Sequence, residues 1–355
     1  MFMNHDELLY IRLYNQLLTL HALKEPRDVV AHMGAMQSQT LEMAKWAIGS
    51  RLQNYTAKNI TESLNRGDVI RTHILRPTWH FVAAEDLRWM YNLSYPRLKP
   101  VYRSYSKMLG ADEAVIYRYI PLVEELLSGG RHLSKQEMGD ALTRKGVLLD
   151  DNHLSLLLSF AELEGLIVNG ELDGSRQTFT LLEEWVPRTA PLSREESLGR
   201  LARKYFSSHG PATLQDFTWW SGLSITECRQ AMEMIRPDFI REKINGRECW
   251  MPGNLCTPPT DHDLALLLAP FDEFVVSYKD RSEIIEETHY GKVITKNGIF
   301  SPTITLNGKI IGSWKKSIKK NIPQITLTFF GNVPKKTIRL FQPEIERLEK
   351  FYARS

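Results

Sequence analysis

One order of elements recurs along this chain: a helical pattern, a helix opened by a capping signal, then two short extended segments around a tight turn. That order describes a winged helix, a helix-turn-helix followed by a β-hairpin. The clearest copy begins at Ser193–Phe206, where Leu198, Leu201 and Tyr205 share one helical face and Arg200, Arg203 and Lys204 lie off it. Gly210-Pro211 breaks the pattern, and Thr213–Trp220 makes a short second helix ended by Gly222. Ser224-Ile225-Thr226-Glu227 is a capping box, a serine hydroxyl three residues ahead of a glutamate. It opens a third helix, Ile225–Ile235, which Pro237 stops. Phe239–Ile244 and Arg247–Met251 then flank Asn245-Gly246, a dipeptide suited to a type I′ turn because both central residues need positive φ.

Two further copies follow the same order. The second places a helix at Asp112–Leu127, a capping box at Ser134-Lys135-Gln136-Glu137, and a helix at His153–Glu164 ending at Gly165. Strands at Leu166–Asn169 and Thr178–Leu181 surround the turn region Gly170–Gly174. The first copy has helices at Asn4–Leu20, near Arg27–Met33 and at Thr40–Leu52. Strands at Val69–Leu75 and Trp79–Val82 bracket Arg76-Pro77-Thr78, and a helix at Glu85–Asn92 follows. Beyond Leu255 the pattern changes. Leu264–Tyr278 is a mixed apolar stretch, Val293–Leu327 reads as a β-meander with turns at Asn297-Gly298 and Asn307-Gly308, and Pro343–Tyr352 reads as a closing helix. The fold class is therefore α+β, three tandem winged-helix modules followed by a small β-rich C-terminal domain. The modules are residues 1–110, 111–190 and 191–255, with 256–355 as the strand-rich unit.

Length and composition agree with several small cores. The 355 residues exceed one simple core, and 43% hydrophobic with 25% charged residues is ordinary globular usage. No apolar run approaches the ~20 residues of a bilayer span, and the N-terminus lacks the pattern of a signal peptide. Cys228, Cys249 and Cys256 are few, odd in number and free of C-x-x-C spacing, which argues against a disulfide framework or zinc ribbon and fits a reducing compartment. The sequence thus leads us to expect a cytoplasmic, nucleoid-associated monomer with no membrane contact, no cofactor, no metal and no obligate protein partner. Asp261-His262-Asp263 is a lesser metal candidate beside its reading as an ordinary loop. There is no Gly-rich nucleotide-binding string and no H-E-x-x-H motif.

Winged helices point towards double-stranded DNA, with the last helix in the major groove and the wing on the backbone. Phosphate contacts need Lys and Arg. Lys135, Arg203 and Lys204 are candidates in the second and third copies. A denser run, Lys315, Lys316, Lys319 and Lys320 with Trp314 among them, lies in the stretch Lys292–Arg339, which contains no acidic residue. The alternative for any one lysine is solubility alone.

Three sets of residues narrow the reading. They are Met36-Gln37-Ser38-Gln39-Thr40 between two helices, the string from Arg71 to His80, and Ala269-Pro270-Phe271-Asp272-Glu273-Phe274 continuing through Ser277-Tyr278-Lys279-Asp280-Arg281. Together with Gly312-Ser313-Trp314-Lys315, their identity and order resemble the AlkZ/YcaQ-type family of bacterial winged-helix DNA glycosylases over nearly the whole chain. The resemblance implies three winged helices and a C-terminal β-rich domain around a DNA-binding concavity. It implies excision of N-alkylated purines, in some members with unhooking of interstrand crosslinks. The family's catalytic Gln-x-Gln or Gln-x-Asp motif maps onto Gln37 and Gln39. Ser38 is polar where the family's middle residue is usually aliphatic, and Gln39 replaces the carboxylate of the Gln/Asp form.

The chemistry suits amides. N-glycosidic cleavage passes through an oxocarbenium-like transition state, and an alkylated purine that already carries positive charge leaves readily. Glutamine carbonyl oxygens can accept a hydrogen bond from water and direct a dipole at developing positive charge, although neither can act as a strong base. Thr78, Trp79 and His80 are candidates for lining the lesion site. The alternative keeps Trp79 in the core and His80 as a hydrogen-bonded strand residue. Asp272, Glu273, Tyr278, Asp280 and Arg281 are candidates for buttressing it, with a buried Asp–Arg ion pair as the leading alternative. No lysine is marked for Schiff-base chemistry, so the enzyme reading is monofunctional. A non-catalytic winged-helix DNA-binding protein or transcriptional regulator is the rival reading.

Overall fold

The computed structural model describes residues 4–253, 263–320 and 322–353. The chain forms two compact units. One comprises Met1–Ile60 with Leu198–Ser355 and the other is Thr61–Ser197, the boundaries falling within helices Ala57–Asn65 and Arg194–His209. The elements are those of an α+β fold with several helix and sheet modules.

In the Thr61–Ser197 unit, strands Val69–His73 and Trp79–Ala83 form an antiparallel hairpin in which Thr72 faces His80 and His73 faces Trp79. Helix Ala84–Met108 follows and runs 25 residues, well past the expected end at Asn92. Pro96 and Pro100 each remove a helical N–H and discourage the preceding turn. Burial of Leu98 and Tyr102 in the unit's core outweighs that local cost. Helices Glu113–Leu127, Lys135–Arg144 and Asp151–Leu163 start at the side-chain caps Asp112, Ser134 and Asp150. Ser134 and Glu137 form the reciprocal capping box expected of them. A small antiparallel sheet sets Thr178–Leu181 between Leu133–Ser134 and Ile167–Asn169. Leu157, Phe160 and Ala161 of the last helix lie at the centre of this unit's core.

The other unit holds the most regular copy of the repeated order. Helix Arg194–His209 is followed by Leu214–Ser221, capped by Thr213 and closed by Gly222 in the left-handed conformation. Helix Ile225–Ile235 opens at the Ser224/Glu227 capping box. Strands Phe239–Ile244 and Arg247–Pro252 then pair across Asn245 and Gly246, whose φ angles of 48° and 79° are those a type I′ turn requires. Ahead of this copy, helix His5–Asn15 ends sooner than the expected Leu20, Leu17 having turned to φ 61°. Pro26–Met33 and Leu41–Gly49 lie close to expectation, whereas Ala57–Asn65 was not anticipated.

The C-terminal sheet is a four-stranded antiparallel meander of Ala265–Leu268, Thr303–Leu306, Lys309–Lys319 and Ile322–Phe329 in chain order. Within the expected Val293–Leu327 stretch the first strand begins only at Thr303, and Ala265–Leu268 joins the sheet from ahead of that stretch. Tyr290–Val293 is helical, and the Asn297-Gly298 turn closes only an isolated bridge between Ile294 and Phe300. Helix Gln342–Ala353 packs Leu348 and Phe351 inward, and the Phe351 ring lies edge-on 5.0 Å from Trp46. Cys228 and Cys249 are buried free thiols, while Cys256, Asp261 and His262 lie outside the described residues. Among the described residues no helix is long and apolar enough to cross a membrane.

Candidate active site

The Gln-x-Gln segment occupies a two-residue strand, Met36–Gln37, and the turn leading into helix Leu41–Gly49. Gly34, at φ 81°, ends the preceding helix and redirects the chain into the strand. Extended backbone at Met36–Gln37 alternates side chains. Met36 and Ser38 are fully buried, Gln37 is nearly so, and Gln39 is exposed. The two amides expected to work together thus differ in access, one rooted in the protein and one open to solvent.

Beneath Gln37 lies Glu273, fully buried. Its Oε1 accepts the Gln37 peptide N–H at 2.6 Å. Its Oε2 accepts from Trp220 Nε1 at 3.1 Å and from the Ser277 hydroxyl. His209 Nε2 is 3.7 Å from the same oxygen. Burial by itself would raise the Glu273 carboxyl, but at acid pH a protonated His209, together with the Ser277 hydroxyl and the Gln37 N–H, outweighs it and holds the group down at about 2. His209 shifts downwards because burial disfavours the imidazolium, and Glu273 offsets only part of that. Ser208 gives its single proton to the Lys204 carbonyl, so His209 Nδ1 carries the proton of the 2.7 Å bond to Ser208 Oγ. The imidazole lies stacked on Tyr205 at 4.8 Å.

The neighbouring Asp272 forms the second anchor. Both of its oxygens receive the Arg51 guanidinium at 2.9 Å, and both side chains are fully buried. Asp272 also caps its own short helix, Glu273–Val276, by accepting the Phe274 N–H. Arg51 in addition donates to the carbonyls of Ala47 and Gln16. The dipeptide Asp272-Glu273 therefore grips the chain just before and just after helix Leu41–Gly49, at Gln37 and at Arg51. A buried Asp–Arg pair was the leading alternative for this segment, and one is present, but with Arg51. Arg281 instead donates to the carbonyls of Val275 and Val276.

The other candidates are distributed as follows. The Tyr278 hydroxyl is buried, donating to the His209 carbonyl and accepting from Gln16, while Arg12 lies 4.0 Å over its ring. Asp280 is at the surface, paired with Arg247 at 2.5 Å. Thr78, Trp79 and His80 belong to the Thr61–Ser197 unit. There His80 is fully buried, its Nδ1–H given to the Thr78 carbonyl at 2.8 Å. Trp79 is half-buried, with the His73 ring 3.8 Å and the Arg71 guanidinium 4.2 Å from it. His73 in turn contacts the buried Glu162 at 2.7 Å.

The basic candidates separate into bound and open groups. Lys135 contacts Asp151 and Ser155, both at 2.6 Å; Arg203 pairs with Asp238 at 2.6 Å; Lys204 donates to the Ala31 carbonyl at 2.5 Å. Lys315, Lys319 and Lys320 are exposed on the long hairpin, whereas Lys316 is half-buried with its ammonium 3.5 Å over the Tyr352 ring. Trp314 is corrected. Expected at the basic surface, it is fully buried and donates Nε1–H to the Leu268 carbonyl at 2.9 Å, because strand alternation turns it inward while Lys315 turns out. Arg51, His209 and Trp220 were not found as site residues from sequence. Trp220 was read only as core, and Arg51 carried no signal in the sequence. Among the described residues no cluster of side chains is arranged to hold a metal ion.

None of the curated proteins matches the chain significantly. Among solved structures, the Streptomyces sahachiroi DNA glycosylase AlkZ superposes with a TM-score of 0.79 at 18% identity, covering 99% of this chain and 98% of that one. At that identity the likeness is one of fold. The family model described as DNA glycosylase AlkZ-like matches residues 30–351, which include the Gln-x-Gln segment, both of its acidic anchors and the basic hairpin. With nearly the whole sequence matched, this chain belongs to the AlkZ-like DNA glycosylase family.

Proposed function

We propose that the chain is a monofunctional DNA glycosylase that hydrolyses the N-glycosidic bond of alkylated purines in double-stranded DNA, crosslinked purines included, and that Gln37 and Gln39 carry the reaction. The observation that supports this most is the unequal anchoring of the pair. Gln37 is buried, with its peptide N–H fixed on an ionised carboxylate, and Gln39 stands two residues on at the surface. Such a pair can present amide oxygens to an attacking water and to a sugar acquiring positive charge without needing a base. The protein contributes position and electrostatics, and the cationic purine contributes the leaving group. The three-module reading, 1–110, 111–190 and 191–255 before a strand-rich 256–355, belongs to this proposal, as does DNA contact through Lys315, Lys319 and Lys320. It is supported by the Ser134/Glu137 and Ser224/Glu227 capping boxes and the Asn245-Gly246 turn.

The test is single-turnover release of the free base from a duplex carrying one N7-alkylguanine. The account expects release well above the spontaneous rate, with no strand cleavage at the resulting abasic site. Absence of release, with undamaged DNA bound equally tightly or bound by sequence preference, would favour the non-catalytic DNA-binding protein.

A further inference from the structure

We infer that Glu273 is a positioning residue for the reaction, setting the Gln37 peptide, and with it the Gln37 amide, through the 2.6 Å bond it accepts from the Gln37 N–H. This rests on the glycosylase reading above. Folding alone gives little reason for a carboxylate here. Taking an ionised carboxylate fully out of water costs several kcal/mol, and an apolar residue of similar volume would fill the space more cheaply. Glu273 nevertheless stays ionised because its donors converge from three separate stretches of chain: the Gln37 peptide, the Trp220 indole and the Ser277 hydroxyl. Two of those stretches are well-packed core, for Trp220 and Phe274 are both fully buried. The third is the short strand bearing the candidate catalytic residue. The carboxylate thus transmits the rigidity of the core to Gln37. The adjacent Asp272 does the same at Arg51, beyond the far end of the following helix. Charge-assisted bonds are about twice as strong as neutral ones, so the clamp adds a strong restraint on the Gln37 peptide. Displacements of about 1 Å at a reacting group can cost on the order of 100-fold in rate.

The experiment compares Glu273→Gln and Glu273→Leu with the unaltered protein by single-turnover base release, DNA affinity, thermal unfolding and the amide spectrum of 15N-labelled protein. In Glu273→Gln the side-chain oxygen can still accept the Gln37 N–H, while the new amide group takes the place of Oε2 and meets the Trp220 indole N–H, a donor–donor contact whose cost thermal unfolding reads separately. The inference expects the maximal rate to fall at least tenfold with DNA affinity within twofold of normal. The Gln37 amide proton should move upfield and exchange faster. Glu273→Leu, which removes the acceptor, should fall further. Phe341→Leu, a core change at Phe341 remote in sequence from the motif, should lower the melting temperature without changing the maximal rate. Should Glu273→Gln not fold, Ser277→Ala removes one competing donor and leaves the Gln37 bond, and the inference expects its Gln37 amide proton to stay slow to exchange. A folded Glu273→Gln with the normal maximal rate, or a Gln37 amide unaltered in shift and exchange, would overturn the inference. No release by the unaltered protein would instead refute the glycosylase reading, while the amide measurement would still report on the clamp.

Discussion

At the residue scale, buried charge organises the Gln-x-Gln segment. Asp272, Arg51 and Glu273 are all fully buried and ionic, and each is satisfied by hydrogen bonds. Such groups make stability depend on pH in a definite direction. Glu273 sits below its ordinary value of 4.5, at about 2, so the stability it confers is whole above 4.5 and is lost as the pH falls towards 2. His209 and His32 are held below their ordinary 6.5 by burial, so the unfolded chain takes up protons that the folded chain refuses once the pH drops below 6.5. The denaturation midpoint should therefore decline from pH 7.5 to 5.5 and decline further below 4.5. A midpoint that stays flat or rises on acidification would contradict this account of the buried groups. The sequence, through the family resemblance, offered Asp272 and Glu273 as candidates for buttressing the site of the Gln-x-Gln string. It could not show which atoms meet, because Gln37 and Glu273 are 236 positions apart and no local pattern encodes a contact at that range.

At the scale of elements, local chemistry was legible where backbone geometry demanded a particular residue. Ser224 with Glu227 and Ser134 with Glu137 close their capping boxes because a helix start leaves N–H groups that only such side chains can satisfy. Asn245-Gly246 turns the wing because few other residues accept positive φ twice in succession. Legibility failed where packing overrode local preference, as in the 25-residue helix that continues through Pro96 and Pro100. It failed also at the exposed hairpin, where strand alternation decides that Trp314 is core and Lys315 is surface. The helix that follows the Gln pair illustrates the same dependence on tertiary fit. A methyl group added at Gly49 would lie 2.3 Å from the Phe351 ring. Arg347 of the same C-terminal helix donates to the carbonyls of Gly49, Ser50 and Leu52. Gly49→Ala should destabilise the protein by about 1–3 kcal/mol through overpacking, and Phe351→Leu in the same chain should recover part of that. Equal melting temperatures for Gly49→Ala and the unaltered protein would show that the C-terminal helix does not pack as described.

At the scale of the whole molecule, family membership and an α+β fold of several helix and sheet modules carry the functional reading, and the site supplies its chemistry. An α+β fold of several helix and sheet modules was readable from the alternation of helical and extended patterns along the sequence. The division into compact units was not readable, because Met1–Ile60 joins Leu198–Ser355 across 137 intervening residues, Thr61–Ser197. The central claim is that Gln37 and Gln39 carry the hydrolysis. The measurement that tests it most directly is the single-turnover rate of N7-alkylguanine release by Gln37→Ala and Gln39→Ala, with DNA affinity measured beside it. The account predicts that at least one variant loses tenfold or more in rate, about 1.4 kcal/mol of transition-state stabilisation, while binding DNA as before. Rates equal to that of the unaltered protein in both variants would contradict it and place the chemistry elsewhere in the chain.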